Sequence, residues 1–312
     1  MMEREERPNL NLKVFGCGVS GTNIVQRIFE LGIPGVQTLA VSEDARHLIE
    51  AKVNKKILTG MNLNRGLGGC GLETIESDLV GSDSYVRENL QGYNVAIITG
   101  GLGGRFSSVI LGYVSRVARE INPDGIVIGL VTLPSSAEGK ERKDNARYGL
   151  KKMTDACDTI IVISFDSLIK MYGEPWSERI FRIADEILKE IINRLIEVIN
   201  KEIGDNRYDE LREIFTKGKM GTFGIGECDD SASPIKKATE EALNSPLILG
   251  DLKEADTVIM MVIAGNDISV SEAQEAATIV KERIDLSATL KIYHFVDSNL
   301  KGDVRVIIVF LG

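Results

Sequence analysis

The sequence predicts an α/β fold: a doubly wound, mostly parallel sheet forming a nucleotide-binding domain, a long central helix, and a smaller α+β domain on the C-terminal side. Three observations predict it. Short Val/Ile-rich runs alternate with amphipathic stretches through residues 1–176; one uninterrupted amphipathic pattern follows from Ser177; and beyond it the pattern changes to strands and helices that close on two apolar runs.

Leu12–Gly16, Val36–Val41, Val95–Thr99, Ile126–Thr132 and Thr159–Ser164 are apolar on both alternating faces, as expected of strands in a parallel sheet covered by helices on either side. The covering helices are predicted at Ser20–Leu31, Phe106–Glu120 and Lys140–Asp155. From Ser177 to Ile203, Ile180, Ala184, Ile187, Ile191, Leu195 and Val198 recur at three- and four-residue spacing, giving one helix about 40 Å long at 1.5 Å per residue. Such a helix can connect two domains. Beyond it the sequence predicts a strand at Thr222–Gly226, a helix at Ala232–Leu243, a strand at Thr257–Ala264, a helix at Ser271–Ile284, and an antiparallel pair formed by Thr289–Val296 and Val304–Phe310. The domain plan is therefore 1–176 for nucleotide binding, 177–203 for the connecting helix and 204–312 for the smaller domain.

Composition removes several classes of function. The 312 residues carry 37 Lys+Arg against 46 Asp+Glu, a net charge of −9, so no basic face is available for sequence-independent nucleic-acid binding. A 43% hydrophobic share with 27% charged residues is that of a folded chain. No apolar run approaches the ~18 residues of a membrane span, and the polar start MMEREERP has no apolar signal core. A soluble, cytoplasmic protein without a direct membrane anchor is expected. Cys17, Cys70, Cys157 and Cys228 are far apart with no C-x-x-C pair, which predicts neither a disulfide framework nor a protein-held metal site.

The chemistry begins at Gly16-Cys17-Gly18-Val19-Ser20-Gly21, a G-x-G-x-x-G turn between strand and helix. Glycines there let the backbone approach a diphosphate, and the helix behind offers unpaired N–H groups and the positive end of its dipole. Read alone, the turn also fits a dinucleotide enzyme, with Glu43 placed for a ribose. That reading lacks a catalytic pair, because His47 and His294 have no partner motif.

The neighbouring segments are more specific. GCGVSGTNIVQRIFELGIPGVQTLAVSEDA is similar to the first nucleotide loop of FtsZ and the tubulin superfamily, with Asn23 after the glycine turn. In the same order follow Arg65-Gly66-Leu67-Gly68, Ile98-Thr99-Gly100-Gly101-Leu102-Gly103-Gly104, Val131-Thr132-Leu133-Pro134 with Glu138-Gly139-Lys140-Glu141-Arg142, Asp158 to Ile163, and Phe181 to Glu186 on the long helix. Gly224-Ile225-Gly226, Ser245-Pro246-Leu247 and Asp303-Val304-Arg305-Val306 extend the match, so the chain resembles a divergent FtsZ-like protein over residues 11–312.

The resemblance implies a GTP or GDP site, with room for a magnesium ion beside the phosphates. Its binding set comprises Gly16, Gly18, Ser20, Gly21, Thr22 and Asn23 in the first turn, Gly68, then Gly101, Gly103, Gly104, Arg105, Phe106 and Ser107, and finally Pro134, Glu138, Arg142, Phe181 and Asp185. Asn23 and Asp185 would contact guanine, Phe181 would stack near the base, and Glu138 and Arg142 would contact ribose. A carboxylate suits the N1 and N2 donors of guanine, and an Arg fork suits ribose or phosphate oxygens.

Two segments depart from the family pattern. Where it has G-G-G-T-G-[ST]-G, the chain reads Gly103-Gly104-Arg105-Phe106-Ser107-Ser108-Val109. Arg105 then either places a fixed cation on a phosphate oxygen or points to solvent and marks a lost site; Phe106 is expected to fill core at a helix start. After the long helix, the family has an N-x-D-x-x-D loop that enters the next subunit's nucleotide site. Here the stretch is Asp205-Asn206-Arg207-Tyr208-Asp209-Glu210, with Arg207 in place of the first acid and Glu210 at the second. Glu210 and Asp209 are the candidate catalytic acids, unless these are solvated loop charges.

The resemblance further implies a cytoskeletal protein of cell division or cell shape that associates head to tail with itself, or with a related FtsZ-family protein, with impaired hydrolysis. Arg105 and Arg207 are expected to meet at that contact, repelling each other unless a phosphate lies between them. Because the sequence ends at Phe310-Leu311-Gly312, recruitment through the family's terminal peptide is not expected. The alternative is a nucleotide-free interaction module on a decayed GTPase fold.

Overall fold

The structure is a computed structural model that describes residues 11–60, 71–80, 83–173, 178–204, 207–229, 233–265, 269–298, 300 and 303–312. The first part of the sheet contains β1 (Leu12–Cys17), β2 (Val36–Ser42), β3 (Lys55–Leu58), β4 (Val95–Gly101), β5 (Ile126–Leu133) and β6 (Thr159–Ser164). The second contains β7 (Met220–Cys228), β8 (Thr257–Ala264), β9 (Thr289–Val296) and β10 (Val304–Leu311). All ten belong to one sheet, ordered β3-β2-β1-β4-β5-β6-β7-β10-β8-β9. The strands from β3 to β7 are mutually parallel, β10 runs antiparallel to both β7 and β8, and β8 and β9 are parallel.

Helices cover both faces, as the double-sided apolar strands require. On one face lie α1 (Gly18–Glu30) and α8 (Glu178–Gly204), with Ile24, Ile28, Ile187, Ile191 and Leu195 packed on Val14, Ile97, Ile128 and Ile161. The same cluster continues to Ile259, Met261 and Ile307 of the second part, so one helix roofs the junction of the two. The opposite face of the first part is covered by α5 (Arg105–Ile121) and α6 (Lys140–Thr154). Over the second part lie α10 (Pro234–Leu243) and α11 (Val270–Lys281). Each Ile or Leu fully withdrawn from water contributes about 1.5–3 kcal/mol, which makes the α8 stripe the largest apolar investment of any helix here.

The observed α8 bounds differ from the expected Ser177–Ile203 by one residue at each end, Ser177 itself lying outside the described residues. Shorter elements were not anticipated: α2 (Ala45–Glu50), the Lys-rich β3, α3 (Leu72–Val80), α4 (Asp83–Leu90), α7 (Phe165–Tyr172) and α9 (Tyr208–Thr216). One expectation is overturned: Thr289–Val296 and Val304–Phe310 do not pair. β10 is inserted between β7 and β8, and β9 pairs with β8 as a parallel edge strand reached through α11. Burial explains the outcome. β10 is apolar on both faces and almost wholly buried, so it belongs in the interior, whereas β9 carries Lys291, Ile292 and His294 on partly exposed positions.

Helix α10 lies against β7 with no side chain between them at Gly224, where an added Cβ would sit 2.8 Å from the carbonyl carbon of Ala242 and closer still to its oxygen. Backbone on both sides leaves nothing that can rotate away. Gly224→Ala should therefore destabilise the chain by about 1–3 kcal/mol, read as a lower urea midpoint at unchanged m-value.

Candidate functional site

An open cleft of about 430 Å³ lies at the C-terminal ends of β1, β4 and β5. The strand order reverses there, because β1 is flanked by β2 on one side and β4 on the other, and such switch points leave a crevice between the flanking helices. The N-termini of α1 and α5 converge on it. α1 starts at Gly18, whose φ of 72° turns the chain directly from strand to helix, and α5 starts after Gly104. Neither start has a side-chain cap, so amide N–H groups of both helices are available to an anion.

The expected residues divide into three groups. Gly18, Ser20, Asn23, Gly101, Gly104, Arg105, Phe106, Ser107, Pro134, Glu138, Arg142, Phe181 and Asp185 line the cleft. Gly16, Gly21, Thr22 and Gly103 support it from below or beside. A Cβ on Gly21 would meet the Thr99 carbonyl oxygen at 2.6 Å, the buried Thr22 hydroxyl donates to the Gly18 carbonyl at 2.8 Å, and a Cβ on Gly103 would meet Pro134 at 3.3 Å. Gly68 lies outside the described residues. Val19, Glu43, Leu102, Thr132, Phe165 and Ala184 complete the lining. Of these, Glu43 had a sequence signal for a ligand, while Val19, Leu102, Thr132 and Ala184 lie inside the motifs without an assigned role and Phe165 had no signal.

At one end of the cleft, Phe181 is 41% exposed and its ring centroid is 5.1 Å from that of Phe165, leaving an apolar face beside Asp185. Burial pushes the Asp185 carboxyl up to about 6, against the opposing pull of the Arg27 charge. Burial likewise raises Glu43. At the rim, Glu138 accepts from the Ser135 backbone N–H at 2.7 Å and pairs with Arg142 Nε at 2.5 Å, while Arg105 Nε donates to Glu141 Oε1 at 2.7 Å. Arg105 is thus an exposed side chain at the rim that meets an acid of α6. Phe106 is 7% exposed and packs into the core beneath.

The candidate acids lie elsewhere. The Tyr208 hydroxyl donates to the carbonyl of Asn94, just before β4, and Arg212 reaches Asp124, just before β5, so α9 sits at the N-terminal ends of strands whose C-terminal ends form the cleft. Neither Asp209 nor Glu210 lines the cleft. Glu210 accepts from Lys291 Nζ at 3.0 Å. Arg207 Nε lies 3.1 Å from Glu202 Oε2, and its backbone N–H donates to the Glu202 carbonyl at 2.8 Å. The other oxygen of Glu202, which is 2% exposed, accepts from the Tyr293 hydroxyl at 2.8 Å. Within the chain, Arg105 and Arg207 each face a carboxylate of their own.

Among the described residues no group of three or more His, Cys, Asp or Glu side chains is placed to hold a metal ion. A magnesium ion accompanying a nucleotide is held largely by phosphate oxygens and water, a mode that needs no such cluster. No helix among the described residues is long and apolar enough to cross a membrane.

A doubly wound domain with two uncapped helix N-termini at its switch point, joined through a long helix to a second domain in the same sheet, defines a nucleotide-binding α/β protein of two domains. The chain belongs to the Tubulin/FtsZ family: the family's GTPase domain matches residues 11–173, and the C-terminal domain of the FtsZ family matches residues 219–312. It is 32% identical to cell division protein FtsZ 1 of Methanocaldococcus jannaschii, over 100% of this chain and 85% of that one. To FtsZ 1 of Pyrococcus furiosus it is 33% identical, over 98% and 82%. The fold superposes on a structure described as an empty FtsZ dimer from M. jannaschii with a TM-score of 0.88 at 31% identity, covering 99% of this chain and 89% of that one. It also superposes on a GTPgS-bound protofilament of CetZ2 from Haloferax volcanii, with a TM-score of 0.76 at 18% identity, covering 96% and 92%.

The raised Asp185 carboxyl has a thermodynamic consequence in the empty protein. Its folded-state pKa lies above its unfolded one, so the folded state holds the extra proton between about pH 4 and 6, and the stability this group lends at low pH is lost as pH rises through that window. Asp185→Asn should remove that component and raise stability at pH 7 by roughly 1–3 kcal/mol, measured as the difference between variant and parent urea transitions at pH 4 and pH 7.

Proposed function

We propose that this chain is a cytoplasmic, FtsZ-like cytoskeletal protein that binds GTP or GDP in the cleft and associates head to tail with copies of itself or with a related family member. One observation carries the reading: residues from six separated segments, from Gly18 to Asp185, line one cleft whose phosphate end is made of helix N-termini and whose other end offers an aromatic face and a carboxylate. Asn23 and Asp185 are the guanine contacts, Phe181 the stacking face, and Glu138 and Arg142 the ribose contacts. Glu43, the residue that made a dinucleotide enzyme conceivable, lines the same cleft, but membership of the Tubulin/FtsZ family argues for guanine. Self-association is supported by the matched structures, a dimer of one relative and a protofilament of another.

Asp185→Ala should weaken GDP binding by about tenfold or more, because a buried base would lose a hydrogen-bond partner worth on the order of 1–3 kcal/mol. Calorimetric titration checks this, and equal affinity in parent and variant would remove Asp185 from the site. The pair of effects is informative: the asparagine variant gains stability while the alanine variant loses ligand, as expected where a binding group is held at a cost to the fold.

Hydrolysis is proposed to be slow, giving a pseudo-GTPase or a protein of long nucleotide residence. Three features support this: Arg207 stands where the family places an acid, Glu210 is held by Lys291, and Arg105-Phe106 replace small residues in the phosphate loop. Phosphate release should fall well below that of FtsZ 1 from M. jannaschii assayed alongside, and Lys291→Ala, which releases the Glu210 carboxylate, should raise it. Turnover equal to the relative's contradicts the proposal. The mutual satisfaction of Glu138 with Arg142 and Arg105 with Glu141 favours, as a second reading, an interaction module that binds no nucleotide; absence of GDP and GTP binding would select it.

A further inference from the structure

We propose that Arg105 is the phosphate-specificity residue of this cleft, exchanging its partner Glu141 for the terminal phosphate of a guanine nucleotide. The inference rests on the guanine-nucleotide reading above and adds to it a side chain that reports how many phosphates the ligand carries.

Arg105 is the first residue of α5 and lines the cleft beside the uncapped start of that helix. The start of α1 is close by, since a Cβ on Gly18 would lie 3.2 Å from that of Ser107. A phosphate seated on the α1 amides therefore lies next to the α5 start that carries Arg105. The ion pair that Arg105 makes without ligand is between two accessible side chains, 44% and 64% exposed, the kind that contributes least. A phosphate dianion presents more charge and can take the guanidinium fork through two parallel hydrogen bonds.

The other rim guanidinium, itself 50% exposed, has the better-held partner. Arg142 pairs with Glu138, whose side chain is only 8% exposed and whose second oxygen is committed to the Ser135 N–H. The two rim pairs, Arg105 with Glu141 and Arg142 with Glu138, cancel in charge and leave no net positive charge for a triphosphate. Swinging Arg105 from Glu141 to phosphate supplies positive charge where it is needed, at the cost of the weaker of the two pairs. Glu141 then acts as a competitor for the same guanidinium, so the two residues should have opposite effects on phosphate preference.

The test is calorimetric titration of the full chain with guanosine, GMP, GDP and GTP in buffer containing EDTA, so that no divalent cation shares the phosphates. In the parent, affinity should rise from guanosine to GTP. Arg105→Ala should reduce the preference for GTP over guanosine about tenfold, Arg105→Lys should restore part of it, and Glu141→Gln should increase it severalfold. Loss of guanosine and GTP binding in equal proportion in Arg105→Ala would make the residue structural and overturn the inference, as would a fall in GTP preference in Glu141→Gln. If the parent binds guanine nucleotides but none of the three variants changes the ratio, only the role of Arg105 falls. If the parent binds none of the four ligands, the nucleotide reading falls with it.

Discussion

Everything in the site is referenced to one close approach, that of helix α1 onto the backbones of β1 and β4. A methyl group on Gly21 would lie 2.6 Å from the Thr99 carbonyl oxygen, and one on Gly100 would lie 2.6 Å from the Cys17 carbonyl oxygen. Three backbones meet there with no side chain between them. The contact fixes the height of the α1 N-terminus above the sheet, and with it the position of the amides that face an anion. It also sets α8, because α1 and α8 share one apolar cluster and are tied by the ion pair between Arg27 and Glu186. Phe181 and Asp185 ride on α8, so both ends of the cleft are indexed to the same glycine contact.

The second structural commitment is the continuity of the sheet. β7 extends the parallel part through only two residue pairs with β6, Ile160 with Met220 and Ile161 with Gly221. Such a narrow strand junction is braced by α8, whose buried stripe contacts strands of both parts, and by polar ties at its flank. Arg194, 7% exposed, pairs with Glu190 and Glu197 on its own helix and faces Phe295 of β9, while Glu202 near the helix end accepts from Tyr293. A buried carboxylate and a buried guanidinium are costly unless partnered, so these groups specify how the helix and the second part fit together more than they add net stability.

The first part of the fold was legible because its signals are local. Double-sided apolar strands, glycines at strand ends and a seven-turn apolar stripe each report their own structure through periodicity, and Gly16, Gly18 and Asn23 mark the turn that builds the cleft. Pairing in the second part was not legible in the same way. Val304–Leu311 and Thr289–Val296 are adjacent in sequence, which suggests a hairpin, yet the choice is decided by which strand can tolerate burial on both faces. The charged partners of Arg105 and Arg207 were likewise hidden. Glu141 is 36 residues from Arg105, and nothing in the spacing says that α6 brings it to the α5 start. Glu202 is near Arg207 in sequence, but Arg207 lies beyond the end of α8, where helical spacing no longer says which side chains meet.

The placement of α9 bears directly on assembly. The cleft opens at the C-terminal ends of strands that have the start of α9 at their N-terminal ends, and a strand of seven residues such as β4 separates them by about 20 Å. Asp209 and Glu210 therefore have no route to the nucleotide of their own chain, and any role they have in phosphate chemistry must be exerted on another copy. A contact of that kind is heterologous and propagates unless the rotation closes it. An uncompensated cation on each side would have opposed it. Because Arg207 pairs with the buried Glu202 and Arg105 with Glu141, neither end would bring an uncompensated cation to such a contact.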